Sequence, residues 1–203
     1  MSLYKKYVLP KIVNCVCSDK SMSKQREKVI PMAFGNVLEI GIGSGLNLPF
    51  YNASSVNRIT GIDSSLEMWE LNKWEGNIDV NFIKASAEEL QFDDDTFDSV
   101  VCTYTLCTIP DAEKALKEMS RVLKPSGRLL FAEHGLAPDK KVFKIQNRIN
   151  PIWKKLAGGC NINRDVEKLI SEGGFRFSSF DKMYITGWKP ASFNYWGVAI
   201  NYS

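Results

Sequence analysis

Short apolar runs alternate along this chain with segments whose apolar residues recur at helical spacing. The runs predict five strands, because each is as long as an ordinary strand and is bounded by glycine, proline or polar residues. They lie at 36–42, 59–63, 80–84, 97–104 and 127–134. Helical patterns occupy 65–74, 111–123 and 164–172. Strands that alternate with helices in this way predict an α/β fold with a parallel, doubly wound sheet.

Both ends of the chain depart from this alternation. Segments 175–183 and 193–201 are apolar-rich and have no helix pattern between them, so they predict an antiparallel pair at one sheet edge. The segment before residue 33 is helical, and 140–156 carries an extra helical pattern after the fifth strand. We therefore expect seven strands, with helices on both faces of the sheet.

The composition is that of a globular protein. The 203 residues are 44% hydrophobic and 24% charged, which excludes collagen-like, coiled-coil and wholly disordered chains. The net charge of +3 is too small to indicate a nucleic-acid partner. No apolar run is long enough to span a membrane, and Pro10 and Lys11 interrupt the first apolar stretch. We expect a cytoplasmic protein.

The cysteines show no local metal-binding pattern. Cys15-x-Cys17 has the wrong spacing for zinc, no CxxC occurs, and the chain has a single histidine. We expect reduced thiols and no metal site. Cys102 lies within a strand and is expected in the core, while Cys107 and Cys160 could border a pocket without an evident activating base.

The segment Glu39-Ile40-Gly41-Ile42-Gly43-Ser44-Gly45 carries the strongest chemical signal. Glycines that follow a buried strand let the backbone approach a ligand closely, and the N-terminus of the next helix would present free amides to it. The dinucleotide fingerprint G-x-G-x-x-G would need glycine at 46, where the chain has Leu46. The Glu39 carboxylate also suits a cationic ligand better than a pyrophosphate. A nicotinamide dehydrogenase is therefore the weaker alternative.

Asp63 ends the second strand, about 20 residues beyond the glycine loop. Nucleotide-binding sheets place a carboxylate there to accept hydrogen bonds from ribose hydroxyls. The alternative is a helix N-cap, a role that Ser64 could fill instead. Together with the loop, Asp63 favours ribose binding.

Four stretches resemble the class I S-adenosylmethionine (SAM) dependent methyltransferases, in the type-11 branch that includes the ubiquinone and menaquinone biosynthesis methyltransferases. They are VLEIGIGSG (37–45), GIDSSLEM (61–68), ASAEELQFDDDTFDSVVCTYTLCTIPD (85–111) and KEMSRVLKPSGRLLFAEHG (117–135). More particular stretches resemble the methyltransferase-like alkyl-thiol methyltransferases: YKKYVLP (4–10), FAEH (131–134), GGCNINRD (158–165) and YWGVAI (195–200). The resemblance implies a Rossmann-like sheet in a single domain over 1–203, with an N-terminal helical lid (1–33) and a lid insertion after strand five (139–160).

The resemblance also implies a SAM contact at each matching position. Glu39 and the backbone of Gly41 would face the methionine amino group, and Gly43, Gly45 and Asn47 would line its carboxylate and the sugar. The positions that would hold the ribose, touch the adenine or lie beside the methionine are Asp63, Ser64, Met68, Ser86, Ala87, Glu88, Thr103 and Tyr104.

One position departs from the family pattern G-D-A-E-E-L-P-F. The chain has Ser86 where the pattern has aspartate, so the strongest acceptor for the adenine amine is missing. We expect a lower SAM affinity for this reason.

Methyl transfer from a sulfonium acts on an already activated carbon, so positioning and desolvation supply much of the rate and a base is optional. His134 lies beside Glu133 at the carboxyl end of strand five and is the candidate catalytic base. The alternative is a polar residue satisfied at a strand end. Candidate acceptor-binding residues are the aromatics Tyr4, Trp153, Tyr195 and Trp196.

We expect a small, apolar acceptor, with a thiol favoured by resemblance and a quinone-like or lipid acceptor next. A non-catalytic SAM-binding module is the alternative. No nucleic-acid substrate is expected, because strand four ends in Thr103-Tyr104-Thr105-Leu106 rather than an Asn/Asp-Pro-Pro-aromatic motif.

Basic residues concentrate at 1–28 and 139–155. Two basic, partly apolar lids suggest the hypothesis of peripheral contact with an anionic membrane, against the alternative of two solvated helix faces. Both a monomer and a homodimer through the antiparallel edge remain open.

Overall fold

Seven strands form one mixed sheet in this computed structural model, which describes residues 3–202; residues 1, 2 and 203 of the predicted domain lie outside that range. The strands are β1 (Gly35–Ile40), β2 (Val56–Asp63), β3 (Val80–Lys84), β4 (Phe97–Thr103), β5 (Leu123–His134), β6 (Phe175–Tyr184) and β7 (Phe193–Asn201). Their order is β3-β2-β1-β4-β5-β7-β6. The pairs among the first five are parallel, and β7 is antiparallel to both β5 and β6. The predicted fold class is confirmed.

Helices cover both faces of the sheet and one end of it. A π-helical turn (Tyr4–Val8) leads into α1 (Leu9–Cys17), followed by α2 (Lys20–Val29), α3 (Leu66–Trp69), α4 (Ala112–Val122), α5 (Lys140–Leu156) and α6 (Val166–Glu172). Helix α5 has the bounds that its apolar pattern predicts. No helix within residues 3–202 combines the length and apolar character needed to cross a bilayer.

The predicted helix over 65–74 is wrong in its length, since α3 ends at Trp69. The Asn72 side chain accepts a hydrogen bond from the Trp74 amide (2.9 Å), which closes a turn in place of a further helical turn. The Trp69 ring stacks on Phe82 of β3, with ring centroids 5.0 Å apart. Local turn chemistry and this stacking outweigh the helical pattern.

The sheet core lies on both faces of β4, whose residues from Ser99 to Thr103 are all buried. Helix α4 covers one face with Leu116 and Met119, which are fully buried. Its first turn is capped by Asp111, whose carboxylate accepts a hydrogen bond from the Lys114 amide (3.0 Å). A central strand buried on both faces fixes the level at which its carboxyl end emerges.

Glu133 holds the turn that follows β4. Its buried Oε1 accepts hydrogen bonds from the amides of Thr105 (2.7 Å) and Leu106 (3.0 Å). These amides lie just beyond Tyr104, which adopts a left-handed backbone conformation with φ 52°. Burial raises the pKa of Glu133 to about 7. A carboxylate from β5 therefore fixes the end of β4 at the sheet edge where ligands bind.

Glu133→Gln should flatten the pH dependence of stability. Because the folded-state pKa of Glu133 is raised to about 7 from its ordinary 4.5, the native state holds an extra proton between these values, and stability falls as pH rises through that window. One group accounts for at most about 1.4 kcal/mol per pH unit. Urea unfolding between about pH 5 and about pH 8 should show the wild type losing stability relative to Glu133→Gln.

The exposed Glu113→Gln variant on α4 is the matched control and should follow the wild-type curve. Parallel curves for wild type and Glu133→Gln would show that burial does not hold the Glu133 proton.

Candidate functional site

A cavity of about 520 Å³ opens at the carboxyl ends of β1, β2 and β4. Its volume lies in the range of about 300–1,000 Å³ that is typical of small-molecule sites. Leu9, Pro10 and Val13 of α1 form part of its wall, as do Ala157 and Gly158 just beyond α5. The N-terminal segment and the segment inserted after β5 therefore both border the cavity.

Eleven of the thirteen predicted cofactor positions line this cavity. They are Gly41, Gly43, Asn47, Asp63, Ser64, Met68, Ser86, Ala87, Glu88, Thr103 and Tyr104. Glu39 and Gly45 are the two outside the lining. The structure thus brings residues from four separate stretches of the chain to one concave surface.

All three glycines of the loop after β1 have left-handed backbones, with φ 67° at Gly41, 54° at Gly43 and 76° at Gly45. A Cβ on Gly41 would lie 2.3 Å from the Thr105 side chain, so this position must be glycine for β4 to approach. A Cβ on Gly43 would make only ordinary van der Waals contacts, with Met68 (3.4 Å), the Gly41 carbonyl oxygen (3.8 Å) and Asp63 (3.9 Å), all of residues that line the cavity. Gly43 therefore leaves room for a ligand to approach the loop backbone.

Asp63 faces the cavity at the end of β2. Its Oδ2 accepts a hydrogen bond from the Gly43 amide (3.0 Å), and its Oδ1 accepts one from the Ser65 amide (2.8 Å). Burial raises its pKa. The helix cap is Ser65, whose hydroxyl accepts from the Met68 amide (3.2 Å). Neither Asp63 nor Ser64 is therefore needed as the N-cap.

Glu39 is buried beneath the cavity. Its two oxygens accept hydrogen bonds from Asn47 Nδ2 (2.9 Å) and the Tyr51 hydroxyl (2.7 Å). Burial raises the pKa of Glu39 to about 7. Asn47 lines the cavity above it and also donates to Thr103 Oγ1 (3.0 Å). Glu39 thus orients the amide that faces the cavity.

Arg26 is a cavity residue that sequence reasoning missed. It lies on α2 and is 3% exposed. Its Nε donates to Asn47 Oδ1 (3.0 Å), its Nη1 donates to the Cys17 carbonyl (2.7 Å), and its guanidinium carbon lies 5.0 Å from the Tyr104 ring centroid. Burial lowers its pKa.

Within residues 3–202, no carboxylate lies within 4.0 Å of the Arg26 guanidinium. A buried cation without a counter-ion is costly, so the cavity is suited to an anionic group beside Arg26. In the sequence Arg26 is one of seven basic residues before position 29, and nothing local distinguishes it.

The far end of the cavity is lined by Ser86 and Glu88. The Ser86 hydroxyl donates to Glu88 Oε2 (3.1 Å) and accepts from the Glu88 amide (3.2 Å). Glu88 Oε1 accepts from the Asp111 amide (2.7 Å) at the start of α4. The position that departs from the family pattern is thus part of a local turn that fixes Glu88.

His134 does not line the cavity. Its Nε2 lies 3.3 Å from Cys160 Sγ, and its ring is nearly parallel to that of Tyr104, with centroids 6.5 Å apart. The expectation that Cys160 lacks a neighbouring base is therefore wrong. Hydrogen bonding from Cys107 and the nearby imidazole lower the pKa of the Cys160 thiol.

None of the four candidate acceptor-binding aromatics lines the cavity. The Tyr4 hydroxyl donates to the Leu156 carbonyl (2.8 Å), which joins the two bordering segments, and the Trp153 ring packs 5.5 Å from that of Trp188. Tyr195 is buried in the core, and its hydroxyl donates to the Leu136 carbonyl.

Trp196 follows Tyr195 on β7 and faces the opposite side of the sheet, where Lys28 Nζ lies 3.5 Å from its ring centroid. Alternation along β7 therefore holds Tyr195 and Trp196 within the sheet layers, whereas the cavity opens at the strand ends.

Comparison with known proteins agrees with this geometry. A family described as a methyltransferase domain matches residues 38–131. Thiol S-methyltransferase TMT1B of Homo sapiens is 34% identical over 170 residues, which cover 77% of this chain and 69% of that protein. The ubiquinone/menaquinone biosynthesis C-methyltransferase UbiE of Geotalea daltonii is 39% identical over 109 residues, 49% of this chain and 45% of that protein.

The chain spans about two thirds of the length of the thiol S-methyltransferases that it matches, from 59% to 69% for three of them. Among solved structures, phosphoethanolamine N-methyltransferase 2 of Haemonchus contortus, in complex with S-adenosylhomocysteine, has the same fold. Its TM-score is 0.72 at 16% identity, over 98% of this chain and 59% of that one. The glycine loop, the carboxylate of Asp63 at the end of β2 and these relatives together show that the chain belongs to the SAM-dependent methyltransferases.

Proposed function

We propose that this enzyme transfers the methyl group of SAM to the sulfur of a small, apolar thiol. The observation that carries the proposal is the composition of the cavity: a polar floor at the strand ends faces an apolar wall of Leu9, Pro10 and Val13. Thiol S-methyltransferases are among the relatives that match most of the chain, which supports sulfur as the acceptor atom.

The lining residues fit SAM. Arg26 supplies a buried cation for the methionine carboxylate, and Asp63 supplies an acceptor for the ribose hydroxyls. Gly43 leaves space beside Asp63, because a Cβ at this position would lie 3.9 Å from Asp63 Oδ2. When bound, SAM supplies a methyl group on a positively charged sulfur that leaves as neutral S-adenosylhomocysteine.

The acceptor side needs desolvation more than acid–base chemistry. The bond from acceptor sulfur to methyl carbon forms as the bond from that carbon to the sulfonium breaks, and the thiol proton is released to solvent. The apolar wall excludes water around the reacting sulfur. The Tyr104 ring lines the cavity next to His134, which favours a supporting role for His134 over direct contact with the acceptor.

Release of S-adenosylhomocysteine should be detected with alkyl thiols and not with phenols, amines, quinols or phospholipids. The rate should rise with pH towards the pKa of the thiol used, because the thiolate is the nucleophile. Gly43→Val is the inactive control, because valine is strained at φ 54° and its side chain would fill the space beside Met68. Turnover on another acceptor class with none on thiols would overturn the thiol assignment.

Arg26→Gln should weaken SAM binding by about 10- to 100-fold, the cost of losing a charge-assisted hydrogen bond of about 1.5–3 kcal/mol. Calorimetric titration with SAM, S-adenosylhomocysteine and adenosine separates the roles, because adenosine lacks the carboxylate and should lose little. Lys24→Gln, an exposed change on the same helix, should leave all three affinities unchanged. Equal losses for adenosine and SAM would show that Arg26 acts through folding.

We also propose that the two segments bordering the cavity contact an anionic membrane surface. Exposed apolar side chains cluster on both of them, including Leu3 (77% exposed) and Val16 (59%) at the N-terminus and Ile152 (66%) and Leu156 (61%) on α5. The Tyr4–Leu156 hydrogen bond links the two segments. Exposed lysines lie among these residues at Lys11, Lys154 and Lys155. Apolar and basic side chains on one surface suit anionic lipid.

Co-sedimentation should show more protein bound to vesicles that contain phosphatidylserine than to pure phosphatidylcholine. The double variant Ile152→Ser/Leu156→Ser should lose most of this binding. Met183→Ser, an exposed apolar change on β6, should retain it. Equal binding to both vesicle types would remove the proposal.

A further inference from the structure

Three potential metal ligands that are far apart in sequence meet beside the cavity. Cys107 lies in the turn after β4, His134 ends β5, and Cys160 follows α5. The two sulfur atoms and one imidazole nitrogen all lie within 4.8 Å of one another. All three residues are buried. We call this group the Cys–His–Cys cluster.

Hydrogen bonds and packing from neighbouring residues hold the cluster in place. The Asn161 amide donates to the Cys107 carbonyl (2.8 Å), and Asn161 Nδ2 donates to the same oxygen (3.0 Å). The Cys160 amide donates to the Ala157 carbonyl (3.1 Å). Ile162 and Trp153 pack around the two sulfurs. The ligand atoms are therefore positioned by rigid neighbours, as a metal site requires.

We propose that the Cys–His–Cys cluster binds one Zn²⁺ ion. Two cysteines and one histidine form a donor set that zinc uses in proteins, with a fourth position for water or another small ligand. Zn–S and Zn–N bonds of about 2.3 Å and 2.0–2.1 Å at tetrahedral angles place S and N about 3.6 Å apart. The observed distance between Cys160 Sγ and His134 Nε2 is 3.3 Å, so small side-chain shifts would admit the ion.

Charge balance favours zinc over other thiophilic ions. Two thiolates and a neutral imidazole carry two negative charges, which one Zn²⁺ neutralises. A monovalent ion such as Cu⁺ would leave a net negative charge in a site where all three ligands are buried, and burial disfavours this. The spacing of neighbouring cysteines in the sequence predicts no zinc site, because the three ligands come from separate segments of the chain.

The ion would tie the segment after α5 to the sheet. Ala157 and Gly158 border the cavity two to three residues before Cys160, while Cys107 and His134 belong to the ends of β4 and β5. Zinc would thus fix one wall of the cavity through a coordinate bond. This inference is independent of the identity of the methyl acceptor.

The test measures zinc in the full chain, purified reduced and without a metal-affinity step, by elemental analysis and by exchange with Co²⁺. We expect one equivalent of zinc, thiolate-to-cobalt charge-transfer absorption in the exchanged protein, and a lower melting temperature after chelation. Cys107→Ser and Cys160→Ser should each weaken binding at least about 100-fold, more than the loss of an outer-shell partner. Cys15→Ser, at an exposed cysteine, should behave as the wild type.

Retention of a SAM-induced rise in melting temperature shows that each variant is folded. If a serine variant does not fold, the wild-type cobalt spectrum decides by itself, because charge-transfer absorption requires thiolate ligation. A folded, reduced wild type without stoichiometric zinc and without that absorption would overturn the proposal. So would a Cys107–Cys160 disulfide in the freshly isolated protein, because it would remove both thiolates.

Discussion

The hydrogen bonds of the Asn47 side chain connect the elements that form the cavity. Its oxygen accepts a hydrogen bond from Arg26 on α2, and its nitrogen donates to Glu39 on β1 and Thr103 on β4. Asn47 is 4% exposed, so an unmade bond here would leave a buried polar group without a partner. One amide therefore joins the N-terminal helices, the glycine loop and the central strands. The helical segment before the first strand therefore contributes side chains to the cavity lining, Arg26 among them.

The end of β4 is fixed by a second buried acid. Glu133 accepts hydrogen bonds from the amides of Thr105 and Leu106. Tyr104 has a left-handed backbone, and its hydroxyl donates a hydrogen bond to Asn194 Oδ1 on β7 (2.7 Å). The antiparallel edge strand thereby supports a residue that lines the cavity. This explains how a strand pair at one side of the sheet affects the site at its carboxyl ends.

The sequence predicts the features that depend on neighbouring residues. The mostly parallel sheet follows from alternating strands and helices, α5 from a periodic apolar face, and the cavity floor from glycines and Asp63 at strand ends. Helix α3 was predicted too long, because the turn at Asn72 and the Trp69–Phe82 stacking depend on contacts that periodicity does not describe. Arg26 and the Cys–His–Cys cluster were not predicted from the sequence, for a similar reason. Their partners are distant in sequence, so only the folded chain distinguishes them from ordinary surface bases and core thiols.

Arg26 and Glu39 together explain why a zwitterion suits this cavity. Burial lowers the pKa of Arg26 and raises that of Glu39 to about 7, so in each case desolvation works against the charged form. The two groups are connected through Asn47 rather than by a direct ion pair. The methionine part of SAM carries a carboxylate and an ammonium group. A carboxylate beside Arg26 would stabilise the charged guanidinium, and an ammonium in the cavity above Asn47 would stabilise the carboxylate form of Glu39 beneath it. Binding would then offset a desolvation cost that the fold already bears, and would gain affinity at this end of the cavity even with Ser86 in place of a stronger acceptor at the other.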